Sequence, residues 1–158
     1  MLINDKVARP SLDPPQARNL AAADRNGLSD PFVKLTLLDK EEQPLRKSTR
    51  QTNVVPETLQ PHWNEEIVLG SGINISLAKY LLVEVLDRDW FSSDGLGSVR
   101  LPLEKADRDQ HGHEEWQWHA LEQGTISSPT VSGDVELKVC YENMDHKDRG
   151  LTPAEREQ

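Results

Sequence analysis

Carboxylates gather in two stretches of this chain, Asp24 with Asp30 and then Asp87, Asp89 and Asp94. The first stretch, Asp24 to Leu35, reads DRNGLSDPFVKL, and the second, Val83 to Gly97, reads VEVLDRDWFSSDGLG. Each places its acids in a turn-rich segment at the mouth of an apolar, alternating run. Five acids collected in two loops repel one another unless a hard cation sits among them. Calcium takes about six to eight oxygen ligands, and carboxylates supply most of them. Asp87 and Asp89 are two residues apart at the end of an expected strand, so their side chains leave the same face. Asp94 returns after a short loop. Gly27, between Asp24 and Asp30, permits a tight turn. The main-chain carbonyl of Arg88 is a candidate for a remaining position, and Ser92 is a weaker one. An EF-hand needs oxygen side chains at its first, third and fifth positions. Counted from Asp24 the fifth is Leu28, and counted from Asp87 it is Phe91. A calcium site must therefore be assembled by the fold from distant segments.

The bulk composition limits the alternatives. The formal net charge is −9, from 27 acidic and 18 basic side chains. Such a chain repels phosphates, which argues against nucleic-acid binding and against acidic membranes unless the charge is cancelled locally. The single cysteine, Cys140, excludes an intrachain disulfide and fits a reducing compartment. No apolar run reaches the roughly 18 residues of a membrane span. The first residues lack the apolar core of a signal peptide. A cytoplasmic protein is expected.

The elements that must position these acids read as strands. Phe32 to Leu38 alternates, with Phe32, Leu35 and Leu37 as candidate inward positions. Thr49 to Val55 and His62 to Leu69 are further candidates. Tyr80 to Leu86 is the most strongly patterned, with Leu82 on the opposite face from Leu81, Val83 and Val85. Leu96 to Leu103, Trp116 to Leu121 and Val135 to Tyr141 complete the set. Many short strands separated by turns predict an all-β fold, an antiparallel β-sandwich of about eight strands. The expected boundaries are an atypical N-terminal segment at 1–16, the sandwich at 17–142 and a polar tail at 143–158.

Four segments together resemble the C2 domain of the protein kinase C and synaptotagmin type. They are Ala17-Arg18-Asn19-Leu20 followed by Asp24 and Gly27-Leu28-Ser29-Asp30-Pro31-Phe32-Val33; Thr58-Leu59-Gln60-Pro61-His62-Trp63-Asn64-Glu65; Val83-Glu84-Val85-Leu86-Asp87-Arg88-Asp89; and Asp94-Gly95-Leu96-Gly97. The resemblance implies that Asp24, Asp30, Asp87, Asp89 and Asp94 bind two or three calcium ions. One departure stands out. Where the family has its first strand, this chain has Ser11-Leu12-Asp13-Pro14-Pro15-Gln16, so the first strand is expected to be atypical or missing. A missing strand would leave a sheet edge exposed.

Trp90 and Phe91 lie between Asp89 and Asp94, and their apolar bodies suit a bilayer interface. Leu28 on the first loop is a third candidate. Calcium would cancel the loop charge, and these side chains would then enter anionic phospholipid membranes. The chain is thus expected to be a calcium-triggered membrane-targeting module, cytoplasmic until recruited. Arg46, Lys47 and Arg50 form at most a weak basic lipid patch, since Pro56 and Glu57 stand where the family is often basic. The alternative is a calcium-independent protein-interaction module that uses the exposed edge, to which a partner would donate a strand, or the acidic surface. No phosphate loop, nucleophile elbow or Cys/His pair suggests an enzyme. His111, His113 and His119 read as a solvated loop rather than a zinc site. Trp63, Trp116 and Trp118 read as core or strand-facing, and Cys140 as a small buried apolar residue.

Overall fold

A computed structural model of the chain describes residues 16–23, 25–70, 73–89, 93–103, 116–124 and 130–139. Its strands are β1 (Gln16–Arg18), β2 (Pro31–Leu38), β3 (Arg50–Gln51), β4 (Tyr80–Arg88), β5 (Ser93–Pro102), β6 (Gln117–Ala120) and β7 (Asp134–Leu137), with one 3-10 turn at Ile75–Leu77. They form two sheets, ordered β3-β2-β4-β5 and β1-β7-β6, and all the strand pairs are antiparallel. This is the expected all-β sandwich. Alternate residues of each strand meet in one core: Val33, Leu35 and Leu37 of β2, Leu81, Val83 and Val85 of β4, and Ala17, Val135 and Leu137 of the other sheet. Leu35, Leu37, Leu81, Val83, Val85 and Val135 are wholly buried. The same alternation corrects one expected inward position. Phe32 differs in parity from Leu35 and Leu37; it pairs with Leu86, and both are buried outside this core.

Two expected strands shrink, each for a local reason. The second was read as Thr49 to Val55, yet only Arg50 and Gln51 are laddered. At the next residue the Thr52 hydroxyl accepts from the Val33 amide at 2.9 Å. A side-chain oxygen thereby replaces the backbone acceptor that would continue the ladder. The third, His62 to Leu69, is not laddered as a strand. Asn64 takes a left-handed backbone, φ 51°, which breaks an extended run. Trp63, one residue earlier, is buried as expected and donates its indole N–H to the Pro31 carbonyl at 3.1 Å.

The first strand is present and short. β1 pairs with β7 on one side, while Ala17 N–H and Leu20 N–H donate to the carbonyls of Pro61 and Leu59 on the other. The sheet edge that a missing strand would expose is therefore covered along this stretch. Residues 1–15, with Ser11 to Pro15, lie outside the described residues. β1 and β7 come close at Gly133, which has φ +92°. A Cβ there would stand 2.2 Å from the Arg18 carbonyl oxygen and 2.6 Å from that of Asn19.

Trp118 is not core. Gln117 and His119 pair with the inward Leu137 and Val135, so Trp118, opposite Glu136, faces out. The Arg18 guanidinium lies 3.9 Å above its ring, and Arg18 Nε is 3.2 Å from Asp134 Oδ2. That stack links β1 to β6 across β7. Trp116 is half-buried. His111, His113, Cys140 and Tyr141 lie outside the described residues.

Candidate metal centre

The segments at one end of the sandwich are tied together by hydrogen bonds from Ser29, Asp30 and their neighbours. Ser29 is fully buried; its hydroxyl donates to the Ala21 carbonyl at 2.8 Å and accepts from the Ala23 amide at 3.1 Å. Between these anchors Asn26 Oδ1 accepts from the Leu28 amide at 3.0 Å, and Gly27 takes φ +79°. Such an Asx turn needs a residue that tolerates positive φ, which glycine does without steric cost. The loop is thus closed by its own polar side chains.

Asp30 and Asp87 are brought together next. The Asp30 amide donates to Asp87 Oδ1 at 2.6 Å, and the Arg88 amide donates to the Asp30 carbonyl at 3.0 Å. Asp87 has no exposed surface. Burying a carboxylate is costly unless it is hydrogen-bonded or holds a cation. A third segment, Asn53 to Thr58, closes on the same point. Glu57 has a left-handed backbone, φ 53°, which turns its amide to Asp30 Oδ1 at 2.7 Å. Thr58 N–H donates to the Ser29 carbonyl at 2.8 Å, and Val55 N–H to that of Pro31 at 3.1 Å.

The β4–β5 ladder brings in Asp94. Val85 pairs with Gly97 but Leu86 pairs with Gly95, so the register shifts by one and Leu96 is left over. This is a β-bulge. Beyond it, Asp94 rather than Gly95 stands opposite Asp87. A cleft of about 700 Å³ opens between the three segments, lined by Arg25, Asn26, Asp30, Val54, Pro56, Glu57, Arg88 and Asp89.

Of the five expected ligands, Asp30 and Asp89 line this cleft, Asp87 bonds to the Asp30 amide, and Asp94 is Asp87's ladder partner. Asp24 lies outside the described residues, as do Ser92 and the side chain of Asp94. Arg88 itself lines the cleft. Among the described residues, no group of three or more His, Cys, Asp or Glu is gathered closely enough to hold a metal ion. The described donors are hard carboxylate oxygens without sulfur or imidazole, a set that suits calcium rather than zinc. Trp90 and Phe91 lie outside the described residues, and Leu28 is half-buried on its loop. Arg46, Lys47 and Arg50 are all exposed around the β2–β3 connection, with Arg50 Nη1 donating to the carbonyls of Lys47 and Thr49. Glu57 was not among the expected site residues. Its place in the cleft follows from a positive φ that spacing does not reveal.

A sequence model described as C2 domain matches residues 13–121. Human synaptotagmin-7 is 36% identical over 128 residues, which is 80% of this chain and 30% of the relative. Rabphilin-1 of Caenorhabditis elegans is 44% identical over 92 residues, 57% of this chain and 8% of the relative. The chain thus spans less than a third of the length of these relatives. Among solved structures, a C2 domain of plant Extended Synaptotagmin 1 superposes with a TM-score of 0.58 at 23% identity, covering 82% of this chain and 91% of that one. The calcium-bound pair of C2 domains from Extended-Synaptotagmin 2 gives 0.52 at 22%, covering 78% and 42%. At these identities the structural likeness speaks for the fold. With a family match over most of its length and the antiparallel sandwich to go with it, the chain belongs to the C2 domain family.

Proposed function

We propose that this C2 domain is a calcium-dependent phospholipid-binding module that moves to anionic membranes when calcium rises. The observation that carries the reading is the meeting of Asp30 and Asp87 through a 2.6 Å hydrogen bond at the end where Asp94 and Asp89 also stand. Asp24, Asp30, Asp87, Asp89 and Asp94 would hold two or three ions, with the Arg88 carbonyl and Ser92 as further ligands. Bound calcium supplies positive charge and open coordination positions for headgroup phosphate oxygens. The protein's own part is to gather the carboxylates at one end of the sandwich. The amides of Asp30 and Glu57 hold two of them in place beforehand, so less ordering remains to be done on binding.

Trp90, Phe91 and Leu28 are the residues we assign to the headgroup region. Each would contribute about 1.5–3 kcal/mol when fully buried there. Arg46, Lys47 and Arg50 add a weak basic patch for phosphoinositides. In this reading the protein is a binding module and not an enzyme, cytoplasmic at rest and peripheral to membranes when loaded. The donated-strand alternative loses its docking edge along β1, which is occupied by the 59–61 segment.

Co-sedimentation with vesicles containing phosphatidylserine tests the proposal. The protein should pellet with calcium and stay in the supernatant with chelator, and Asp87→Asn should stay in the supernatant under both conditions. Equal pelleting with chelator would refute it.

A further inference from the structure

Asn26 lines the cleft with Asp30 and Asp89, and the residue after it is Gly27. Of the asparagines in this chain, it alone precedes a glycine. That neighbour matters for one reaction. A backbone nitrogen can attack the side-chain amide carbon of the asparagine before it, and any side chain on the attacking residue stands in the way. Gly27 has none, and a Cβ built there would meet nothing within 4 Å, so the approach is open. Asn26 and Gly27 are both exposed to water, which the reaction consumes. Neither belongs to a strand, so no ladder has to break. The Leu28 amide donates to Asn26 Oδ1 at 3.0 Å. This bond folds the side chain toward the backbone that follows it. It also draws electron density from the carbon to be attacked. Asn53 and Asn64 are exposed as well, but β-branched Val54 follows the one and Glu65 the other.

We propose that Asn26 is a self-modification site, where spontaneous deamidation adds a carboxylate to the wall of the cleft. The Gly27 nitrogen gives its proton to a base in the solvent and bonds to Asn26 Cγ. The Cγ–Nδ2 bond breaks, ammonia leaves, and a five-membered succinimide joins the two residues. Water then opens the ring at either carbonyl. One opening leaves aspartate. The other leaves isoaspartate, whose main chain runs through the former side chain and is one methylene longer. Nothing is oxidised or reduced, and one water enters for each ammonia released. Both products carry a negative charge where a neutral amide stood. The covalent chemistry stands by itself, and its effect on ions rests on the function proposed above. A further carboxylate beside Asp30 and Asp89 attracts a divalent cation more strongly.

The test holds the folded chain in mildly alkaline buffer, digests it in acid and maps the peptides by mass spectrometry. Asn26→Ser is the control, since a serine hydroxyl can still accept from the Leu28 amide and keep the turn. The peptide holding Asn26 should gain the mass difference between an NH group and an oxygen atom, faster at higher pH. Part of it should accept a methyl group from an isoaspartyl methyltransferase. The Asn53 and Asn64 peptides, and the matching peptide of Asn26→Ser, should keep their masses over the same time. An Asn26 peptide that keeps its mass in the folded chain overturns the proposal, and a gain by the same chain in urea would show that the fold protects it. Equal gains at Asn26, Asn53 and Asn64 also overturn it, since the turn would then play no part. In calorimetric titration Asn26→Asp, which stands for one product, should bind calcium about threefold more tightly than the native chain. Equal or weaker affinity in that variant overturns the effect on ions. A native chain that binds no calcium overturns the proposed function, and the peptide map still decides the modification.

Discussion

His119 is half-buried on β6, and burial pushes its pKa below the usual 6.5 because the charged imidazolium is the form that loses solvation. The folded chain therefore binds a proton there less readily than the unfolded chain does. Stability from this group is whole above pH 6.5 and is lost as pH falls through the lower folded value. In chelator, the melting temperature of the native chain should fall more steeply below pH 6.5 than that of His119→Gln. Parallel slopes for the two would show that His119 is not responsible. Other single residues were readable in different degrees. The aspartates drew attention by crowding into two turns, and of the five the described residues bring Asp30 and Asp89 to one cleft, with Asp87 bonded to the Asp30 amide. Trp118 did not, since aromatic character names no face; only its register opposite Glu136 puts it outside, under Arg18. Glu57 was hidden because its place beside Asp30 depends on a backbone angle.

Among the elements, β2 and β4 were legible almost residue for residue, since both alternate through a fully buried inner face. The segments at 49–55 and 62–69 carry strand-like composition yet lose their ladders to the Thr52 hydroxyl and to the left-handed Asn64. Neither event has a signature in hydrophobic pattern. β1 was obscured by the prolines before it, although its Ala17 is part of the core. Its pairing with β7 depends on Gly133, whose missing side chain lets the Arg18 and Asn19 carbonyls approach. Gly133→Ala adds both a backbone clash and an unfavourable positive φ. It should cost about 3 kcal/mol in urea unfolding. A loss under about 0.5 kcal/mol, the range of neutral surface changes, would mean that β1 contributes little to the sandwich.

For the molecule as a whole, the net charge of −9 is a stored repulsion that counterions relieve. Potassium chloride should raise the melting temperature in chelator by screening, and calcium at the same ionic strength should raise it further if it binds the folded state. Calcium at about a hundredfold over its dissociation constant contributes about 2.7 kcal/mol. For a domain of this size that is a rise of about 5–10 °C. Asp87→Asn should keep the response to potassium and lose the increment from calcium. An equal increment in the variant would place the stabilising ion elsewhere on the acidic surface.

The leftover residue in the β4–β5 ladder changes how chains of this kind are to be lined up. Numbering inward from the well-patterned middle of β5 and assuming strict alternation would set a glycine against Asp87 and carry Asp94 one step past it. Leu96 works as a one-residue spacer that restores the match. A single insertion or deletion beside it leaves all five aspartates present and in order, yet it changes which residue stands opposite Asp87. An inventory of aspartates cannot detect such a lesion, and a strand-pairing map detects it at once.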